Sequence, residues 1–266
     1  MLKFCVLGEG IKYTLSPLLH GAVFAELGVN AEYTVRDVDE TRLSDCMKEL
    51  ASDFNGFNVT KPYKRAVLGY LAEKRAEIDA VNTVINDGGR LIGYNTDIYG
   101  FGLAFDGLCS DVRGEKVLVI GAGGAAEAVL CALKNRGTDV TVVNRTFSRG
   151  RELAEKYGMK AAETSIGLRP SVIVNCATVG NDGVSSPLSG REDLGDLKYA
   201  YDLVYSPAHT QFMKDCEKAG AKTSNGLSML IYQAVVADEI FLGLDGADRK
   251  RLFAAAESAV KKELEK

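Results

Sequence analysis

The sequence predicts an α/β protein of two lobes, and three observations carry that reading. Its 266 residues reach the size at which single cores stop growing and chains divide. Short β-rich runs alternate with amphipathic helical runs through most of the chain. A second series of this kind opens at KVLVIGAGGAA with its own strand, glycine loop and helix.

In chain order, LKFCVLG reads as a strand, 17–27 as a helix, AEYTVRDV as a strand and 40–50 as a helix. GFNVT is a third strand, followed by a helix from Pro62, a residue suited to a first helical position. VNTVIND and RLIGYN flank Asp87-Gly88-Gly89, a hairpin signal. In the second series KVLVI leads to the helix AAEAVLCALKNRG. The strand DVTVVN, the helix SRGRELAEKYG, the strands SVIVNCA and YAYDLVY and the helix TQFMKDCEKAG continue to about Ser224. The last two helices, SMLIYQAVVADEIFLG and ADRKRLFAAAESAVKKELEK, lack strands of their own and are expected to return to the first lobe. The expected division is a substrate domain over 1–97, a nucleotide domain over 98–225 and C-terminal helices over 226–266.

Composition narrows the function. Hydrophobic residues make up 46% and charged residues 26%, with a formal net charge of −4, the profile of an ordinary globular domain. No basic block points to nucleic acid, and no apolar run reaches the roughly 20 residues of a membrane span. The N-terminus does not read as a signal peptide, so the expectation is a cytoplasmic protein with a small-molecule ligand. Six dispersed cysteines lack metal-binding spacing and read as reduced, mostly buried thiols; no metal is expected. With only His20 and His209 available, an acid or base would come from Lys, Asp, Glu or Tyr. His20 reads as a core or helix-face residue and His209 as a capping or surface residue.

Gly121-Ala122-Gly123-Gly124-Ala125-Ala126 fits G-x-G-x-x-A between a strand and a helix. There glycines allow a tight turn and let amides approach a pyrophosphate at the positive helix end, which makes this a Rossmann-type, doubly wound unit. About 20 residues on, where an NAD site places a carboxylate, stand Asn144-Arg145-Thr146, with Arg149 one turn later. A guanidinium pairs with a 2′-phosphate, so NADP(H) is favoured over NAD.

The first lobe carries polar clusters at element ends: Thr14-Leu15-Ser16-Pro17, Asn58-Val59-Thr60, Asn82-Thr83 and Asn95-Thr96-Asp97. Singly, each reads as a cap, as Ser16 before Pro17 would be. In order, TLSP, NVTKPYK, AVNT, GYNTDIYG, GAGGA, NRT, YDLVYSP and NGLSMLIYQ resemble the shikimate dehydrogenase family, from about residue 13 to residue 233. The resemblance implies two lobes with a cleft between them. It also implies NADPH-dependent reduction of 3-dehydroshikimate to shikimate in aromatic amino acid biosynthesis, by a monomer or homodimer.

Carried over by position, Lys64 and Asp97 would be the catalytic pair. Thr14, where the family usually has serine, and Ser16 would bind the substrate carboxylate, with Tyr205 nearby. Asn58, Thr60, Asn82 and Gln233 would bind ring hydroxyls. Val204 and Gly226 would join the glycine loop and Asn144, Arg145, Thr146 and Arg149 in holding cofactor. Hydride reaching a ketone carbon creates an alkoxide, which an ammonium can stabilise and protonate. Alternation along GFNVT puts Asn58 and Thr60 on one face, and Lys64, about two residues into the next helix, can swing toward them. Lys61 reads as a solvated side chain.

Two further features depart from the family pattern. Asn175-Cys176-Ala177-Thr178-Val179-Gly180 displaces a threonine by one, and His20 precedes Gly21 rather than asparagine. Thr14 leaves a broader quinate/shikimate dehydrogenase using NAD as an alternative, against which Arg145 counts. A more distant alternative is a non-catalytic sensor of NADPH or a cyclic acid, which would not need a proton donor at Lys64.

Overall fold

The computed structural model describes residues 1–188 and 194–264. The chain forms two compact units, Met1–Gly100 with Ile231–Lys266, and Phe101–Leu230.

The first unit is built on β1 (Leu2–Gly8), α1 (Ser16–Glu26), β2 (Ala31–Asp37), α2 (Leu43–Asp53), β3 (Gly56–Val59), β4 (Glu73–Lys74), β5 (Thr83–Asp87) and β6 (Arg90–Tyr94). The described strands form one six-stranded sheet in the order β2-β1-β3-β5-β6-β4. β1 lies parallel to both β2 and β3, and β5 runs antiparallel to β3 and β6. The near-continuous apolar run of β1 follows from burial on both faces. Alternation sends Cys5, Leu7, Phe57 and Val59 into a cluster with Leu43, Met47 and Leu50 of α2. On the opposite face Phe4 packs against Phe24 of α1 and stacks on Phe241 at 4.7 Å between centroids.

The segment after β3 corrects one expectation: no α-helix starts at Pro62. Residues 61–65 form turns, followed by a 3₁₀ segment, Ala66–Tyr70. The Lys64 carbonyl, which would accept from residue 68 in a helix, accepts instead from the Val81 amide at 2.8 Å, while the Leu68 amide bonds to Arg65. A long-range bond has taken the acceptor that helix propagation needs. Ser16 also differs from expectation. It is the first residue of α1, Leu15 holds the cap position, and no side chain caps the helix.

α3 (Asp97–Leu108) and α7 (Leu227–Leu242) each contain a boundary between the two units, and α8 (Arg249–Leu264) packs along α1. The second unit holds β7 (Lys116–Ile120), α4 (Gly124–Leu133), β8 (Asp139–Val143), α5 (Phe147–Lys156), β9 (Lys160–Ala162), β10 (Val172–Asn175), β11 (Tyr199–Asp202), α6 (Gln211–Lys218) and β12 (Lys222–Ser224). Its described strands pair in parallel in the order β12-β11-β10-β7-β8-β9. This is the doubly wound order, with the direction of winding reversing between β7 and β10. Ligands in such sheets bind beyond the carboxyl ends of the strands at that reversal, which is where the glycine loop lies. Among the described residues, no helix is long and apolar enough to cross a membrane.

Candidate active site

Three segment ends meet in the first unit because β5 is antiparallel to both its neighbours. Its first residue, Thr83, sits opposite Asn58 of β3 on one side and Tyr94 of β6 on the other. Asn58, Asn82-Thr83 and Asn95-Thr96-Asp97 are thereby brought together, and Lys64 is tied to them through the bond from Val81 to its carbonyl.

The Lys64 ammonium donates to Asp97 Oδ2 at 2.6 Å, with both side chains partly accessible (28% and 11%). Asn82 Nδ2 donates to Asp97 Oδ1 at 2.9 Å and to Thr96 Oγ1 at 2.9 Å, and lies 3.4 Å from Gln233 Oε1. The Thr96 amide donates to Asn82 Oδ1 at 2.7 Å, which leaves only one orientation for that side-chain amide. Asp97 opens α3, the helix end where carboxylates are favoured. The result is an ammonium oriented by a carboxylate whose other oxygen is already held, an arrangement able to deliver a proton to a developing alkoxide.

Asn58 is buried, and its Nδ2 donates to the Asn82 carbonyl and to Thr83 Oγ1. Thr60 is half-buried with its methyl turned toward Gly8. Thr14 and Ser16 form their own pair, with hydroxyl oxygens 3.0 Å apart, before and at the start of α1. Lys61 is exposed. Thr83 and Thr96, both fully buried, join the cluster, although the sequence named them only as polar residues at element ends and assigned roles to Asn82 and Asp97 beside them. The signal was present in the repeated Asn-Thr pairs.

In the second unit, Gly121 has φ +113°, a conformation reserved for glycine, and its Cα faces the backbone of Cys176 and Ala177. Gly123 caps α4 without a side-chain hydrogen bond. A Cβ at Gly123 or Gly124 would meet no protein atom within 4 Å, so this helix start is open to close approach by a phosphate. Asn144 Nδ2 donates to the Thr146 carbonyl and fixes the turn that presents Arg145 and Arg149, both exposed. Arg151 instead pairs with Glu155 and lies over Phe147. These residues fit an NADP(H) diphosphate and a 2′-phosphate.

A pocket of about 480 Å³ is lined by Ala125, Cys176, Ala177, Thr178, Val204 and Tyr205, among others. The altered 175–180 loop therefore forms part of its wall. Burial raises the Tyr205 phenol and the Cys176 thiol. Behind the pocket, Asp202 accepts from Asn175, Thr210 and the Val204 amide, and burial raises its carboxyl. Ala122 follows Gly121 in the loop, half-buried.

The Gly226 amide donates to the Val204 carbonyl, and a Cβ at Gly226 would overlap the Leu203 carbonyl. Gly226→Ala is accordingly expected to cost about 1–3 kcal/mol through forced backbone displacement, read as a lower thermal midpoint. An unchanged midpoint would mean that the contact is easily relieved.

His20 is a core residue paired with Asp238, and His209 is exposed and paired with Glu217 while Thr210 caps α6. Among the described residues, no group of His, Cys, Asp or Glu is placed to hold a metal ion.

The model of the shikimate dehydrogenase substrate-binding domain matches residues 6–84, and that of shikimate/quinate 5-dehydrogenase matches residues 105–173. A shikimate dehydrogenase (NADP(+)) of Caldanaerobacter subterraneus subsp. tengcongensis is 39% identical over 256 residues, covering 90% of this chain and 91% of that protein. The chain belongs to the shikimate dehydrogenase family. Within that family, the crystal structure of a Thermus thermophilus shikimate 5-dehydrogenase in complex with NADP(H) and shikimate has a TM-score of 0.88 to this chain. It shares 37% identity and covers 97% of this chain and 100% of its own. A quinate dehydrogenase from Corynebacterium glutamicum in complex with NAD is also similar, with a TM-score of 0.81, 28% identity, and coverage of 97% and 99%.

Proposed function

We propose that this shikimate dehydrogenase family member catalyses the reversible NADPH-dependent reduction of 3-dehydroshikimate to shikimate, a step of aromatic amino acid biosynthesis. The observation that carries the reading is the Lys64–Asp97–Asn82 constellation, an oriented proton donor in the unit that matches the family's substrate-binding domain. NADPH, when bound, supplies the hydride. Lys64 holds a proton on Nζ and delivers it to the oxygen that becomes a hydroxyl. Asp97 orients that ammonium and accepts from a neighbouring substrate hydroxyl. Thr14 and Ser16 bind the substrate carboxylate, with Tyr205 assisting. Asn58, Thr60, Asn82 and Gln233 bind ring hydroxyls. In the second unit Gly121, Ala122, Gly123, Gly124 and Ala125 hold the diphosphate, Asn144, Arg145, Thr146 and Arg149 the adenosine 2′-phosphate end, and Val204 and Gly226 complete the cofactor site.

Six free cysteines, most of them buried, fit a reducing cytoplasm, where the chain works as a monomer or homodimer. The NAD-linked quinate reading is disfavoured by Arg145, since NAD lacks the ribose 2′-phosphate for it to pair with. Initial rates with shikimate and quinate, each with NADP⁺ and NAD⁺, test the assignment. Shikimate with NADP⁺ is expected to give the highest kcat/KM, and a higher value for quinate with NAD⁺ would overturn it.

A further inference from the structure

The proposed mechanism leaves one buried polar assembly without a task. His20 of α1 and Asp238 of α7 are 1% and 0% exposed and are paired through Nδ1 and Oδ1 at 2.6 Å. The His20 ring stacks on Tyr33 of β2 at 4.1 Å between centroids, with 8° between planes. The Tyr33 hydroxyl donates to Asn58 Oδ1 at 2.6 Å. Sheet register explains the meeting. Tyr33 pairs with Phe4 and Phe4 with Gly56, so Tyr33 and Asn58 emerge on the same face two residues apart in register.

Beyond Asn58, the hydrogen bonds have one consistent polarity. Asn58 Nδ2 donates to Thr83 Oγ1, Thr83 donates to Asn82 Oδ1 at 3.1 Å, and Asn82 Nδ2 donates to Asp97 Oδ1, whose other oxygen receives Lys64. A continuous chain thus runs from Tyr33 through Asn58 to the Lys64–Asp97 pair.

The support beneath Tyr33 is not optimised for stability. Asp238 Oδ2 is buried with no hydrogen-bond partner, and burial raises this carboxyl against the pull of the imidazole. A half-satisfied buried carboxylate costs more than an apolar substitute would, so its presence calls for a purpose other than packing.

We propose that Tyr33 is a positioning residue for the substrate: its hydroxyl, carried on a ring stacked against the His20–Asp238 pair, fixes the side chain of Asn58. The inference rests on the proposed function, because Asn58 matters to catalysis only if it meets the substrate. Deleting the hydroxyl frees Asn58 Oδ1 and relaxes the preorganised Asn58 side chain, a loss that falls on substrate and not on cofactor.

Tyr33→Phe keeps the ring stacked on His20 and removes only the hydroxyl. Calorimetric titration of the full-length chain with shikimate should show binding about tenfold weaker than in the wild type, with NADP⁺ affinity changed less than twofold. In steady state, KM for shikimate should rise while KM for NADP⁺ stays put. In an Asn58→Ala background, Tyr33→Phe should add less than twofold, because the hydroxyl acts through Asn58. Unchanged shikimate affinity, parallel losses toward both ligands, loss of folding, or full additivity with Asn58→Ala would each overturn the role. Wild-type protein that binds no shikimate would instead sink the proposed function itself.

Discussion

Lys64→Ala is expected to lower kcat for shikimate oxidation by roughly 10²–10⁴-fold, the range attributed to a positioned general acid or base, while NADP⁺ affinity changes little. Lys64 donates to Asp97 in the first unit, whereas the glycine loop and the arginines proposed to hold the cofactor belong to the second. The variant should stay folded, because a partly exposed ion pair contributes little to stability. Lys61 supplies the control three residues away. It is exposed, and Lys61→Ala should keep kcat within about twofold, as surface substitutions usually do. Steady-state rates and a cofactor titration on both variants check the contrast. Near wild-type turnover in Lys64→Ala would remove this lysine from the mechanism.

Arg145→Ala is expected to raise KM for NADPH by about 10- to 100-fold, the equivalent of losing one or two charge-assisted hydrogen bonds, and to leave KM for NADH nearly unchanged. The side chain is exposed and sits on a turn fixed from below by Asn144, so its removal should not disturb β8 or α5. Equal effects on the two cofactors would mean that Arg145 serves only the local fold. Arg149, one turn along, should show a weaker version of the same selectivity.

The parts of the molecule legible in the sequence are those whose local pattern and tertiary role agree. The strand KVLVI, its glycine loop and the following helix stand where the pattern puts them, because a parallel strand buried on both faces reads as a continuous apolar run. The hairpin around Asp87-Gly88-Gly89 is equally local, with both glycines at positive φ. What the sequence concealed depends on distant partners. The helix expected from Pro62 is prevented by an acceptor bonded to Val81, seventeen positions after Lys64.

α3 was hidden by Gly100, Gly102 and Gly107, weak helix formers. It forms nonetheless, with Phe101 and Phe105 stacked on each other and edge-on to Tyr201. The edge strands β4, β9 and β12 span only two or three residues, too few for a periodic signal.

The candidate site was readable as a set of residue types but not as a network. Asn58, Asn82 and Asp97 stood out as polar groups at element ends. That Thr83 links two of them, and that Tyr33 holds Asn58, follows from the antiparallel pairing of β5 and from strand register. His20 and Asp238, 218 positions apart, give no sequence signal of their pairing.

The decisive measurement is the loss of NADPH absorbance when 3-dehydroshikimate is added to the purified chain. Stoichiometric NADPH oxidation with formation of shikimate, reversed by excess NADP⁺ and shikimate, is the expected result. Binding of both ligands with no change in NADPH absorbance would contradict it and leave the chain a sensor.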